Sequence, residues 1–411
     1  MPDALTTLSE RRGFAARFAA RDGVATSIRF DSRVLGVDTP PRNGDVVVDL
    51  EGAFVLPGLI NAHDHLELNH YGRLKRRERY ENASDWIDDL RPALRGDATI
   101  RANSAHPLAA RLFIGALKSV LAGVTTVAHH NPRYREIGRG FPVRVVERYG
   151  WAHSFMLEEG PVGARGEPGG RIRDRCLATP RGVPFIVHLG EGTDAAAAGE
   201  LPRLEALGCL RENTVLVHGV ALTPEGWNRV TASGAGLVWC PASNMFLFDR
   251  TVPIRQLLDA SSSAWAHVCL GSDSRVTGAR DLLDEMRAAA AAAQVSAHEL
   301  LRMVTVTPAR MLNLPHGGRI EVGEPADLLV APPLGEDAPT ALLATTRRDV
   351  MLVTIGGDPI VGAPALRAAF GARRTVAQPA VVDGAERLVS ARLARAIARC
   401  PIEEPGVACR S

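Results

Sequence analysis

The strongest constraint in this chain is a set of short apolar runs that each end in a histidine or an aspartate. The first run, residues 57–66, places His63 and His65 two positions apart. Alternate side chains of a β-strand point to the same face, so these two histidines can hold one metal ion while Asp64 turns away. A single His-x-His pair also arises by chance, so this pair alone does not identify a metal site.

Three further apolar runs end in the same way. His188 follows residues 185–187, His218 follows residues 215–217, and Asp273 follows residues 270–272. The carboxyl ends of parallel strands meet at one mouth of a sheet, where barrel enzymes build their active sites. One such histidine is more often a structural residue. Four such strand ends in one chain favour a shared functional site.

The chain between these runs alternates helical and strand patterns, which predicts a parallel α/β fold. Two strands at 27–30 and 46–50, and others at 320–323, 327–331 and 350–355, predict a small β layer built from both sides of the chain. The parallel strands are expected at 55–61, 124–128, 151–157, 184–188, 214–217, 236–240 and 267–271, with helices such as 109–121, 201–207 and 281–293. No strand is assigned between 160 and 182, so the fourth strand has no predicted place.

Composition excludes several protein classes. The 411 residues are 46% hydrophobic with a formal net charge of +2 and interspersed charges, so we expect a soluble globular protein that does not bind nucleic acid. The basic stretch from Arg73 to Arg79 is interpreted as a solvated surface. No window is long enough to span a bilayer, so we expect no membrane partner and a cytoplasmic location.

The six cysteines show no Cys-x-x-Cys spacing, which favours reduced, mostly buried thiols. A local disulfide between Cys400 and Cys409 is the alternative.

Taken together, the motifs of this chain resemble the amidohydrolase superfamily, in particular its mononuclear branch of deaminases and triazine hydrolases. The resemblance covers most of the chain and rests on residues 57–65, 123–127, His188 with Glu191, His218, 240–244, 271–273, 307–309 and 323–328. It implies a distorted (β/α)8 TIM-like barrel at 57–318. A small β-sandwich domain would be formed by both chain ends, 1–56 and 319–375, followed by a helical extension at 376–411.

The resemblance also implies one divalent ion, zinc with iron as the alternative, held by His63, His65, His188 and Asp273. Such a site leaves room for a water whose pKa falls toward about 7, so that a metal-bound hydroxide forms at neutral pH. Asp273 can take the proton of this water, and His218 can hydrogen-bond the water or the substrate carbonyl. Glu191 can carry a proton to the leaving nitrogen.

Other polar residues lie at or near the predicted strand ends and are candidates for binding the substrate: Glu67, His129, His130, Asn131 and His153. Binuclear members of the superfamily bridge two ions with a lysine on the fourth strand. The lysines of this chain, Lys75 and Lys118, stand far upstream of that region, so we expect no such bridge. Glu158 or Glu159 is the alternative bridge for a second ion.

The predicted function is hydrolysis of a carbon–nitrogen bond in a small heterocyclic substrate, by deamination or by ring or amide opening. A binuclear amidase-type hydrolase and a non-catalytic barrel that acts as a binding protein are the alternatives. The resemblance further suggests a homodimer or homotetramer.

Overall fold

The computed structural model describes residues 27–159, 170–259, 264–293 and 295–409, and three short backbone strands before residue 27. The first strands are β1 (Thr6–Ser9), β2 (Ala16–Arg17), β3 (Val24–Ala25), β4 (Ser27–Phe30), β5 (Val34–Val37), β6 (Val46–Asp49) and β7 (Phe54–Pro57). Four of them form a sheet in the order β5-β4-β1-β6. The strands predicted at 27–30 and 46–50 are confirmed as β4 and β6.

The centre of the molecule consists of parallel strands in a three-stranded and a five-stranded sheet. In chain order these are β8 (Leu59–Asp64), β9 (Val124–His129), β10 (Arg144–Val145), β11 (Gly150–Trp151), β12 (Phe185–Leu189), β13 (Thr214–His218), β14 (Gly236–Trp239) and β15 (Val268–Leu270). Every residue of β8, β12 and β13 is buried. Burial on both faces explains why these strands read as continuous apolar runs.

The end of the last parallel strand meets the end of the first. The backbone N–H of Asp273, just beyond β15, donates to the carbonyl of His63 on β8 over 3.1 Å. Since all the pairings among β8–β15 are parallel, the carboxyl ends of these strands face the same side.

Helices connect and cover the parallel strands. They are α1 (Ala83–Gly96), α2 (Ala98–Ser104), α3 (Leu108–Leu121), α4 (Phe155–Glu159), α5 (Gly170–Ala178), α6 (Ala195–Ala198), α7 (Glu200–Ala206), α8 (Pro224–Ala232), α9 (Pro241–Phe248), α10 (Ile254–Asp259), α11 (Leu282–Ala293), α12 (Ala297–Met303), α13 (Val306–Met311), α14 (Ala338–Ala344), α15 (Arg367–Ala372) and α16 (Ala391–Arg399). The helices predicted at 109–121, 201–207 and 281–293 are confirmed as α3, α7 and α11.

The remaining strands belong to a seven-stranded sheet that β7 joins from the N-terminal side, in the order β21-β19-β20-β18-β17-β16-β7. They are β16 (Leu328–Ala331), β17 (Leu352–Ile355), β18 (Asp358–Gly362), β19 (Ala377–Val382), β20 (Ala385–Ser390) and β21 (Val407–Cys409). One hydrophobic cluster contains Ile28 and Phe30 of the first sheet together with Val55, Leu328 and Leu352 of this one. Both ends of the chain therefore contribute to one β region.

The structure corrects three local expectations. The strand predicted at 151–157 is only the two-residue β11, and the chain then enters α4. Strand β10 lies outside every predicted strand, since a two-residue strand is too short to show an apolar pattern. Residues 320–323 form a turn rather than a strand, and 376–411 contains three strands besides α16. Part of the unassigned region, 160–169, lies outside the described residues.

All six cysteines are free thiols, as predicted, so Cys400 and Cys409 are not joined. Within the described part of the chain, no helix has both the length and the apolar character needed to cross a bilayer.

Candidate metal centre

Four side chains from three strand ends converge at the carboxyl side of the parallel strands. The Nε2 atom of His188 lies 3.3 Å from Nε2 of His63 and 3.4 Å from Nε2 of His65. The Asp273 Oδ1 atom lies 3.8 Å and 3.9 Å from the same two histidine nitrogens. A tetrahedral zinc ion bonded at about 2.1 Å needs ligand atoms about 3.4 Å apart. The donor set and its spacing therefore fit one divalent ion.

Hydrogen bonds on the far side of two rings orient the donor nitrogens. The Nδ1–H of His188 donates to the carbonyl of His153 over 2.8 Å, which leaves the lone pair of Nε2 directed at the centre. The Asn131 amide nitrogen lies 3.2 Å from Nδ1 of His65, where as a donor it can orient the ring but does not place the proton on Nδ1. The carbonyl partner of His188 fixes both the tautomer and the orientation of that ring, as is common for metal-binding imidazoles. His63 differs, because its Nδ1 has no hydrogen-bond partner among the described residues.

The protonation states suit metal binding. Burial, and next the neighbouring His65, hold the pKa of His63 well below its usual value. Burial also lowers the pKa of His65 to about 3 and lowers the pKa of His188. Burial alone would raise the pKa of Asp273, but His65 and His218 and hydrogen bonds keep it below its ordinary value. Neutral imidazoles and an ionised carboxylate are the forms that bind a divalent ion.

His130 joins the same cluster. The candidate ligand atoms of His63, His65, His130 and His188 all lie within 4.8 Å of one another. The Nε2–H of His130 donates to the carbonyl of Ala152 over 2.9 Å, and its ring stacks on that of His188 at 4.3 Å between centroids. The sequence suggested His130 for the substrate pocket, whereas the structure brings it into contact with the candidate ligand His188.

Asp273 is held rigidly by residues to which the sequence assigned no role. Its Oδ2 accepts hydrogen bonds from the Ser243 and Thr277 hydroxyls, both at 2.9 Å. Its Oδ1 accepts from the backbone N–H of Ser274 at 2.6 Å. Asp273 and His218 also adopt left-handed backbone conformations, with φ of 50° and 76°. Such conformations cost about 1–3 kcal/mol each for a non-glycine residue and concentrate at functional sites.

Glu191 and His218 form a pair beside the centre. The Glu191 Oε1 atom lies 3.5 Å from Nε2 of His218, whose Nδ1–H donates to the Asn244 side-chain oxygen over 2.9 Å. Burial raises the pKa of Glu191 to about 7, although the nearby His218 opposes the increase. Glu191 can therefore take up or release a proton near neutral pH.

Asp64 points to the opposite side of β8, as the alternation of side chains predicted. Its Oδ2 pairs with Nζ of Lys118 at 3.0 Å, and its Oδ1 accepts from the Asn69 amide at 2.7 Å. Lys118 and Asp64 are both completely buried. Lys118 reaches this position because α3 packs tightly on the segment after His65, where a Cβ at Gly115 would lie 2.4 Å from the Leu66 carbonyl oxygen. Lys118 therefore lies behind β8, on the side away from the candidate ligand atoms.

Glu67 and His129 lie next to this segment. Glu67 is buried and accepts a hydrogen bond from the Asn131 amide, and its other oxygen has no hydrogen-bond partner in the described part of the chain. His129 accepts from the backbone N–H of Leu66 at 3.3 Å, and its Nδ1 lies 3.8 Å from the Glu67 carboxylate. The ring centroids of His153 and His188 are 4.7 Å apart. The four suggested pocket residues are thus close to the donor set.

Glu158, the alternative bridge for a second ion, is engaged elsewhere. Its carboxylate accepts from the backbone N–H of His153 at 3.0 Å and pairs with Arg175 at 3.1 Å. The side chain of Glu159 lies outside the described part of the structure.

The chain is similar to known proteins in sequence. The model of the "Amidohydrolase family" matches residues 175–360. The 5-methylthioadenosine/S-adenosylhomocysteine deaminase of Natronomonas pharaonis is 28% identical over 379 residues, which cover 77% of this chain and 84% of that protein. The enzyme with the same name from Halobacterium salinarum is 28% identical over 402 residues, with 84% and 89% covered.

The fold is shared with solved structures of two kinds. The atrazine chlorohydrolase of Arthrobacter aurescens in complex with zinc superposes with a TM-score of 0.65 at 21% identity, covering 90% of this chain and 99% of that one. An adenosine deaminase from Xanthomonas campestris with bound zinc gives a TM-score of 0.62 at 18% identity, with 90% and 97% covered. The chain is therefore similar in sequence to the amidohydrolase family and to these deaminases, and it shares its fold with zinc-containing hydrolases.

Proposed function

We propose that this protein is a metal-dependent deaminase, which replaces an exocyclic amino group of a nitrogen heterocycle by oxygen from water. The observation that carries the proposal is the position of Glu191, a partly buried carboxyl whose pKa is raised to about 7, at 3.5 Å from His218 and beside three imidazoles and Asp273. Hydrolysis of such a carbon–nitrogen bond needs a nucleophilic water, an acceptor for its proton and a donor for the leaving amine.

We assign the metal ligands as His63, His65, His188 and Asp273, and zinc as the ion. The 3.3–3.9 Å spacing of their donor atoms supports this set. A divalent ion bound here would lower the pKa of a water toward about 7 and so supply the nucleophile. His130 supports the ligand rings, because its Nε2–H is already donated to the Ala152 carbonyl.

The protein's own groups move the protons. Asp273 accepts a proton from the attacking water, and Ser243 and Thr277 hold its carboxylate in one orientation. His218, fixed by Asn244, hydrogen-bonds the oxygen that adds to the ring carbon. Glu191 donates a proton to the leaving amino nitrogen of the substrate. The ring carbon gains a bond to oxygen, its bond to the amino nitrogen breaks, and ammonia leaves.

The substrate class follows from the relatives and from the pocket residues. The relatives' names specify adenine-containing thioethers, and adenine carries one exocyclic amino group. Glu67, His129 and His153 would contact the heterocycle or its substituent. The unpartnered oxygen of Glu67 is a suitable acceptor for an N–H or O–H group.

We also infer that the two parallel sheets close into a distorted (β/α)8 barrel and that the two remaining large sheets form a β-sandwich. The Asp273–His63 backbone contact and the hydrophobic cluster shared by the sheets support this architecture. The barrel would comprise residues 57–318, which include every assigned ligand and proton carrier.

The test is ammonia release by the zinc-loaded protein from 5-methylthioadenosine, S-adenosylhomocysteine, adenosine, guanine and cytosine. We expect ammonia from at least one adenine compound, and no release by the chelator-treated protein. Failure of the zinc-loaded protein to release ammonia from any of them would contradict the proposal. Displacement of chloride or an alkylamine from a triazine, without deamination of any compound, would instead indicate a hydrolase of another leaving group.

A further inference from the structure

The C-terminal segment carries a buried carboxylate that contacts the loop of the metal centre. Glu404 lies between α16 and β21 and is 4% exposed, while Arg275 and Arg347 beside it are 9% and 1% exposed. Both oxygens of Glu404 accept hydrogen bonds from the Arg275 guanidinium, at 2.6 Å and 2.8 Å. A bidentate pair of this kind fixes the planes of both groups as well as their separation.

Arg275 stands two residues after Asp273, and its backbone contacts the other ligand-bearing loop. Its N–H donates to the Asn69 side-chain oxygen over 3.1 Å. The amide of Asn69 donates in turn to Asp64 at 2.7 Å and to the His65 carbonyl at 3.1 Å. A continuous chain of hydrogen bonds therefore runs from Glu404 to the segments that hold Asp273 and His65.

The C-terminal segment is itself anchored to the β region. Arg347, which precedes β17, pairs with Asp383 in the β19–β20 turn through bonds of 2.7 Å and 2.8 Å, and it also donates to Glu404. Gly406 lies so close to this pair that a Cβ there would stand 2.1 Å from Asp383 Oδ1. The position of Glu404 is thus set by the small β region and transmitted to the centre.

We propose that Glu404 is a positioning residue of the metal centre, which acts through Arg275 on the loops that carry Asp273 and His65. The inference rests on the proposed metal centre but not on the deamination. A carboxylate is needed at this position because Arg275 and Arg347 are both buried cations and Glu404 is the anion that they share. Removal of its charge would leave both cations less well compensated. Residues that orient metal ligands from behind typically change metal affinity by about tenfold to a hundredfold when they are replaced.

The test measures zinc affinity, by competition with a chelator, for folded protein in the absence of substrate. We expect Glu404→Gln to weaken zinc binding by about tenfold or more. The matched control is Glu403→Gln, because Glu403 is the adjacent carboxylate and is exposed. Its zinc affinity should equal that of the unaltered chain. In the cobalt-loaded protein, Glu404→Gln should also shift the visible absorption bands that report ligand geometry.

A double-mutant cycle identifies the route of the effect. If Glu404 acts through Arg275, adding Glu404→Gln to Arg275→Met should weaken zinc binding little further. Fully multiplicative losses, or a folded Glu404→Gln protein with unaltered zinc affinity, would overturn the proposal.

A second variant covers the case in which Glu404→Gln does not fold. Gly406→Ala displaces the same segment without changing any charge and should also weaken zinc binding. A folded Gly406→Ala protein with unaltered affinity would count against the proposal. If the unaltered chain bound no zinc, the metal centre and this inference would fall together, whereas absence of deamination with normal zinc binding would affect only the proposed reaction.

Discussion

At the scale of single residues, the candidate site separates metal-type donors from proton carriers. The histidines with Nε2 atoms 3.3–3.4 Å apart are buried and neutral, whereas Glu191 is a partly buried carboxyl whose pKa is raised to about 7. The two kinds of residue should respond differently to substitution. Loss of a donor should remove the metal, and loss of a proton carrier should leave the metal in place.

Replacing Glu191 tests the proton carrier. Glu191→Gln keeps the size of the side chain but cannot exchange the proton, so kcat should fall about a hundredfold to ten-thousandfold with unaltered metal content. Turnover and elemental analysis of the same preparation give both quantities. Glu205→Gln, which removes a carboxylate paired with Arg229 on the helix surface, is the control and should retain full activity. Full turnover by Glu191→Gln would end this assignment.

The pH dependence follows from the same group. Because the pKa of Glu191 is raised to about 7 and the donor is its protonated form, kcat should decline as the pH rises above about 7. The measurement is kcat against pH for the zinc-loaded protein. The alkaline decline should be absent from the residual activity of Glu191→Gln, and an unchanged decline in that variant would assign it to another group.

His218 provides the third prediction at this scale. It lies 2.9 Å from Asn244 and 3.5 Å from Glu191, and it is not one of the four proposed ligands, His63, His65, His188 and Asp273. His218→Ala should therefore bind zinc normally but lose about 3–4 kcal/mol of transition-state stabilisation, seen as a fall in kcat. His298→Ala, an exposed histidine paired with Asp337, is the control. Loss of zinc from the His218→Ala protein would instead indicate that His218 is a metal ligand.

At the scale of elements, strand β8 is held between the centre on one side and helix α3 on the other. His63 and His65 point to one side of β8, toward His188 and Asp273. Asp64 points to the other side, toward Lys118 of α3. A buried charge is tolerated only when it is paired, so this ion pair fixes the distance between strand and helix. The position of the first two ligands therefore depends on a contact that is fully hidden from solvent.

Breaking that contact should destabilise the fold. Lys118→Met leaves Asp64 buried without its cation and should lower the free energy of unfolding by about 3–5 kcal/mol. Adding Asp64→Asn should restore part of the loss, since the uncompensated charge is removed. Denaturant unfolding of the metal-free proteins measures both effects. A double variant as unstable as the sum of its single variants would show that the two residues do not interact.

At the scale of the whole molecule, the centre joins strands that are far apart in the chain, from β8 to β15. An ion bound at their ends should act as a cross-link that stabilises only the folded state. We expect one tightly bound divalent ion per chain, and a marked fall in the melting temperature on chelation that added zinc reverses. At a free zinc concentration about a thousand times the dissociation constant, the stabilisation is about 4 kcal/mol. Retention of two ions after dialysis would contradict the single site.

Local pattern predicted the elements that are long or fully buried. Strands β8, β12 and β13 and helices α3, α7 and α11 were identified because an apolar run or a helical period persists over several residues. The two-residue strand β10 was not predicted, β11 was predicted with too great a length, and the hairpin β19–β20 and strand β21 were not predicted. Their pairing depends on neighbouring strands rather than on their own residues.

The sequence by itself determined which residue types stand at the strand ends. Parallel strands must present those ends on one side, so His63, His65, His188, His218 and Asp273 could be grouped before any coordinates. Tertiary structure alone decided what supports them. The supporting roles of Lys118, Ser243 and Glu404 could not be predicted, because each contacts a residue at least 30 positions away along the chain. Contacts at such separations follow no local period, and only packing brings these side chains to the ligand loops.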